Sequence, residues 1–201
     1  LTSLKILRII KDQHKDNWEK FLSTSTKSSV ELLLKSEGIY SIFENVKGRN
    51  MMYLVCTLHP EQSFHPTYAS WGYVWDLRRD PEPFLNMSVN ELKANLKKIS
   101  PKALRVLKTN KAPVVLDKKF ALKEKAYSEL DLETIIKRAK LVRGSENFCK
   151  NIQIINREAA EEKAQTQTQE DLLPEETLYE KFIPNKDTAL FKTWHSSILG
   201  R

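Results

Sequence analysis

The sequence predicts an α+β fold, a small barrel or strongly twisted sheet with helices embedded in it and flanking it. Three observations carry this. Between Val30 and Leu77 the runs VELLL, IYSIF, NMMYLVCTL and WGYVWDL are rich in branched and aromatic residues and are separated by turn-forming stretches. Capped amphipathic segments follow them. A further apolar run, Lys108 to Leu116 (KTNKAPVVL), adds another strand.

The elements follow in order. Leu1, Leu4, Leu7, Ile10, Trp18, Phe21 and Leu22 fall at three- and four-residue spacing, which predicts one helix over Leu1–Leu22. The polar stretch Ser23–Ser29 reads as a loop. After the strands, Ser88-Val89-Asn90-Glu91 is a capping-box signature, and Val89, Leu92, Leu96 and Ile99 form the apolar face behind it. A second helix carries Leu132, Ile135, Ile136, Ala139 and Val142, with Gly144 suited to the position just past its end. A third spans Asn147 to Lys163. The polar, acidic segment Ala164–Thr177 has the composition of a linker. A helix pair, about Glu175–Phe182 and Lys186–Ser197, closes the sequence. Tyr179, Phe182, Leu190, Phe191 and Trp194 lack obvious partners in so short a tail, and position 1 is not Met, so sequence is expected on both sides.

Composition excludes several classes. The 201 residues are 40% hydrophobic and 29% charged, ordinary for a globular protein. No apolar run approaches the ~20 residues of a membrane-spanning helix, and the charged opening is no signal peptide. Two cysteines, Cys56 and Cys149, are too few for a disulfide framework and point to a reducing cytoplasm. The net charge of +7 is unevenly spread: residues 90–150 hold 16 Lys/Arg against 7 Asp/Glu, whereas residues 151–181 hold 3 against 8. The basic block suits a polyanion, since neutralised phosphates release counterions.

No catalytic constellation emerges. A metal-dependent nuclease needs several convergent carboxylates, and Asp76 is a lone acid that reads as the end of a strand. Cys56, His59 and His65 in CTLHPEQSFHP offer metal-ligand chemistry at a spacing that matches no zinc pattern, so a Pro-stiffened loop is the better reading. No G-x-S-x-G elbow occurs, and the five glycines are scattered. Tyr68, Trp71, Tyr73 and Trp75 lie among basic residues and would suit stacking on single-stranded bases. Trp71, Tyr73 and Trp75 recur at period two, which favours a buried strand face for these three.

The ordered set of motifs resembles the central part of bacterial exonuclease I. His59-Pro60-Glu61, Asp76-Leu77, Met87-Ser88 with Glu91-Leu92, Asn110-Lys111-Ala112-Pro113 and Leu178-Tyr179-x-x-Phe182 stand in the family's order. The resemblance implies an SH3-like β-barrel with embedded and flanking helices, preceded by one helix and followed by a truncated helical domain. By it, residues 1–26 hold the last helix of a nuclease domain whose Mg²⁺-binding carboxylates lie upstream. Residues 27–163 are the barrel domain, 164–177 the acidic linker and 178–201 the start of the helical domain. The implied activity is 3′-to-5′ removal of nucleotides from single-stranded DNA in DNA repair, in the bacterial cytoplasm, with this stretch contributing no catalytic residue, metal ligand or cofactor of its own. It would guide DNA, with Lys47, Arg49, His59, Lys111, Lys118 and Lys119 as candidate contacts. It would also dock the C-terminal tail of single-stranded DNA-binding protein on Lys123, Ile136 and Arg143. A cation holds the tail's terminal carboxylate beside an apolar pocket. Two departures stand out: Lys123 in place of Arg weakens bidentate recognition, and the loop Ser63–Ser70 is longer than the family's. The rival classes are a stand-alone module binding nucleic acid or protein, and a decayed remnant.

Overall fold

A computed structural model of the protein describes residues 2–36, 38–46, 48–166 and 193–194. The chain divides into two compact units, Leu1–Glu158 and Ala159–Arg201. The acidic linker and the closing helix pair of the sequence reading lie almost wholly outside the described residues.

In the first unit the α+β class holds. Five antiparallel strands, β1 (Ile39–Val46), β2 (Arg49–Thr57), β3 (Trp71–Asp76), β4 (Leu104–Lys108) and β5 (Val115–Asp117), form one sheet in the order β4-β3-β2-β1-β5. Strands β4 and β5 are its two edges, with no pairing between them among the described residues. The β1–β2 hairpin turns between Val46 and Arg49, which pair. Gly48 sits there at φ +79°, a left-handed conformation that favours glycine. Lys47, in the same turn, lies outside the described residues.

Among the described residues six helices accompany the sheet: α1 (Thr2–Gln13), α2 (Lys15–Ser23), α3 (Lys27–Lys35), α4 (Val89–Lys98), α5 (Leu132–Gly144) and α6 (Glu146–Thr166). The first three depart from what the sequence predicts. The opening helix is interrupted at His14, with Lys11 in the last turn of α1 and Asp16 in the first turn of α2, where each charge suits the helix dipole. The run VELLL is helix, not strand. Thr26, inside the supposed loop, accepts a hydrogen bond from the Ser29 amide as N-cap, and Val30 and Leu34 then share one buried face at i,i+4 spacing. The capping box at Ser88 and Glu91 is present as expected. Asp131 caps α5, its side chain accepting from the Thr134 amide. The run Lys108–Leu116 divides: β4 lies mostly before it, a 3-10 turn occupies Thr109–Lys111, and β5 closes it.

Alternation along the strands supplies both faces of the sheet with core. Tyr53, Val55, Val74 and Leu107 pack with Val30 and Leu34 of α3 on one side. Leu54, Cys56, Tyr73 and Trp75 pack on the other with Leu92 of α4, Ile135, Ala139 and Val142 of α5, and Phe148 and Ile152 of α6. A Cβ at Gly72 would lie 2.2 Å from a Leu34 methyl, so glycine there lets α3 approach β3. Among the described residues no helix is long and apolar enough to cross a membrane.

Candidate docking and nucleic-acid surfaces

Asp76, the acid with the most chemical appearance, is fully buried and fully engaged. Its Oδ1 accepts hydrogen bonds from the Arg78 amide (3.0 Å) and the Tyr127 hydroxyl (2.9 Å), and its Oδ2 from the Arg78 guanidinium (2.7 Å). Arg105 Nε lies 3.7 Å from the same oxygen, while its Nη1 donates to Glu44 at 2.7 Å. The Arg105 guanidinium rests 3.2 Å from the Tyr53 ring centroid. Tyr127 also accepts from the Leu54 amide at 2.9 Å, so one hydroxyl ties β2, β3 and the segment before α5 together. Burial first, then the neighbouring Asp76 charge, pushes the Tyr127 hydroxyl pKa upward, keeping it a donor. The cluster is a structural clasp.

Cys56, His59 and His65 are not among any group of three or more such side chains placed to hold a metal ion among the described residues. Cys56 is a core residue whose thiol pKa is pushed up to about 12, chiefly by burial, the reverse of a reactive thiolate. His65 is buried, and its Nδ1 accepts hydrogen bonds from the Thr67 and Tyr68 amides (3.0 and 3.1 Å). Burial lowers its pKa, favouring the neutral ring. His59 is half-buried, and its Nδ1 has no hydrogen-bond partner among the described residues.

The candidate DNA contacts do not form one patch. Arg49 is exposed at the tip of the β1–β2 hairpin. Lys118 and Lys119 are exposed just after β5, whose Asp117 pairs with Tyr40 at the other end of β1. Strand rise puts these ends about 20 Å apart. Lys111 is exposed in the 3-10 turn between β4 and β5.

The three docking candidates also separate. Arg143, near the end of α5, opens onto a cavity of about 420 Å³ lined by Leu33, Ile39, Tyr40, Val115, Leu116 and Lys118, among others. Its guanidinium donates to the Gly38 carbonyl, and its buried Nε has no partner among the described residues. Asp117 lines the same cavity with one carboxylate oxygen already accepting from the Lys119 amide at 3.0 Å. Ile136, 37% exposed, lines a separate groove of about 690 Å³ with Leu85, Leu141, Lys137 and Lys140. Lys123 is exposed in a 3-10 turn and lines neither. Lys140 follows Ile136 at four residues, one helical turn on. Ile135, beside Ile136 in sequence, is core.

Residues 49–158 match the family model of the exonuclease I SH3-like domain. The chain belongs to that family. No curated protein matches it. Among solved structures, exonuclease I from Methylocaldum szegediense aligns with a TM-score of 0.63 at 19% identity, covering 94% of this chain and 39% of that one. E. coli exonuclease I in complex with a dT13 oligonucleotide aligns at 0.64 with 15% identity, covering 96% and 41%. The ExoI/SSB-Ct complex aligns at 0.61 with 14% identity, covering 94% and 40%. At such identities the likeness is one of fold. The chain spans about two fifths of the length of these structures.

Among the described residues the Mg²⁺ implied by exonuclease I finds no fitting set of ligands. Among the described residues no group of three or more His, Cys, Asp or Glu is placed to hold a metal ion. Asp76 stands between two guanidiniums, which repel a dication.

Proposed function

We propose that this chain is the non-catalytic, DNA-guiding and partner-docking portion of an exonuclease I-type enzyme that digests single-stranded DNA from its 3′ end in DNA repair and recombination. In this reading residues 1–26 adjoin a nuclease domain that holds the Mg²⁺. Residues 27–163 act as the SH3-like barrel domain, and 164–177 link it to a helical domain beginning at 178. The setting is the bacterial cytoplasm. Arg49, His59, Lys111, Lys118 and Lys119, with Lys47, contact the DNA backbone at separate points along its path rather than at one patch.

The observation that carries the docking half is the Arg143 cavity. The Arg143 guanidinium, a second cation in Lys118 beside the Asp117 carboxylate, and apolar walls from Leu33, Ile39 and Leu116 suit a terminal carboxylate attached to an apolar side chain. The matching ligand is the C-terminal tail of single-stranded DNA-binding protein. Ile136 lies two helical turns from Arg143, about 10 Å along α5. Three extended residues span that distance at about 3.3 Å each. The residues before the terminus therefore reach the groove where Lys137 and Lys140 receive acids and Ile136 an apolar group, and Lys123 adds a further cation.

A fluorescent acidic peptide with an apolar last residue tests this. Arg143→Ala should weaken binding roughly 10- to 100-fold, the range expected for a charge-assisted hydrogen-bonded contact. Amidating the peptide's C-terminus should weaken it to a similar extent. Equal affinity for free-acid and amidated peptides contradicts the carboxylate site.

A further inference from the structure

Four aromatic residues were candidates for stacking, and the fold divides them. Tyr73 and Trp75 are about 1% and 0% exposed and belong to the core. Tyr68 and Trp71 are half-buried. Trp71 opens β3 opposite Lys108 of the edge strand β4, and the Lys108 ammonium lies over the Trp71 ring at 4.6 Å from its centroid. The Tyr68 ring is 4.7 Å from the Trp71 ring, centroid to centroid, at 40°. His65 touches both, 4.6 Å from Tyr68 and 5.6 Å from Trp71.

The loop that presents these rings is fixed by its own hydrogen bonds. Besides the two amides that His65 Nδ1 receives, the His65 amide donates to the Trp71 carbonyl (2.8 Å) and the Trp71 amide to that of Tyr68 (2.9 Å). Gln153 of α6 donates to the Phe64 carbonyl at 3.0 Å. At the loop's far end the Thr109 amide and hydroxyl both donate to the Ser70 carbonyl, tying it to the turn that carries exposed Lys111.

We propose that Tyr68, Trp71 and Lys108 form a stacking platform for one base of single-stranded DNA and its phosphate. The proposal rests on the DNA-guiding reading above and gives it a location. An incoming base stacks on the half-exposed Trp71 ring beside the tilted Tyr68 ring, and the Lys108 ammonium leaves the ring for the phosphate. An exposed ammonium–ring contact is weaker than base–aromatic stacking, so the exchange is favourable. Because the loop is already ordered, little conformational entropy is lost on binding.

The test is fluorescence anisotropy of the full chain with labelled dT12 and with a matched abasic oligomer at low salt. Trp71→Ala and Tyr68→Ala should each weaken dT12 binding roughly 5- to 100-fold, the span of one lost base stack. Trp71→Phe should retain most of the affinity. Abasic binding should be unchanged in the aromatic variants and weakened by Lys108→Gln. Equal weakening of both oligomers by Trp71→Ala, or unchanged dT12 binding by both aromatic variants, overturns the platform while leaving DNA binding intact. Absence of dT12 binding by the unsubstituted chain overturns the DNA-guiding reading itself, and the platform with it.

Discussion

Asp76→Ala should lower the stability of the chain by about 3–5 kcal/mol, the range for breaking a buried charge pair and stranding its partners. The carboxylate is fully buried and accepts three hydrogen bonds, two from side chains. Without it, Arg105 keeps Glu44 but loses its second anion, Arg78 loses its ion pair, and the Tyr127 hydroxyl loses its acceptor. Asp76→Asn should cost less, because an amide oxygen still accepts from Tyr127. The measurement is the urea midpoint of each variant. A loss below about 1 kcal/mol for Asp76→Ala would mean the clasp contributes little. Asp76 would then be open to a role other than structure.

The second large effect is expected at Trp75. This side chain is fully buried, donates its indole N–H to the Arg79 carbonyl at 3.0 Å, and packs edge-on against Phe84 and Phe148. Trp75→Ala removes a large core volume that the surrounding helices cannot refill, and should cost about 3–5 kcal/mol. Trp71→Ala, four residues earlier on the same face, should cost about 1 kcal/mol, since only a half-buried ring and an exposed cation–π contact are lost. Thermal or urea unfolding of the two variants side by side checks the contrast. Equal losses would mean that Trp71 is core, and the stacking platform would lose its basis.

Those two tryptophans also mark how far the sequence was legible. Runs of branched and aromatic residues between turn-forming stretches located β1, β2 and β3, and a capping box located α4, because each signal is local and physical. Period-two alternation put Trp71 and Trp75 on one face without saying where the covering helices stop. Burial is a tertiary property, so one ring became core and the other surface. VELLL was misread because a five-residue apolar run fits a strand or a buried helix face equally well, and the Thr26 cap that decides the matter was taken for loop. The clasp was invisible for a different reason. Asp76, Arg105 and Tyr127 lie 29 and 22 residues apart in sequence, and nothing local announces that they meet.

The candidate sites were less legible than the fold. Ile136 and Arg143, seven residues apart, share a face of α5 by helical geometry alone. The packing of α5 against the sheet nevertheless gives Arg143 to a cavity with β1 and β5, and Ile136 to a groove with Leu85. The basic block between Asn90 and Lys150 was visible as composition. Its division among Lys108 at the sheet edge, Lys118 at one cavity and Lys137 and Lys140 at another depends on strand register and helix orientation.

On the proposed function, this chain holds and guides a single strand without cutting it. The most direct measurement incubates the purified chain with 5′-labelled single-stranded DNA and Mg²⁺, and follows both mobility in a native gel and length in a denaturing one. The account predicts a retarded complex whose DNA stays full length throughout. A ladder of products shortened from the 3′ end would contradict it.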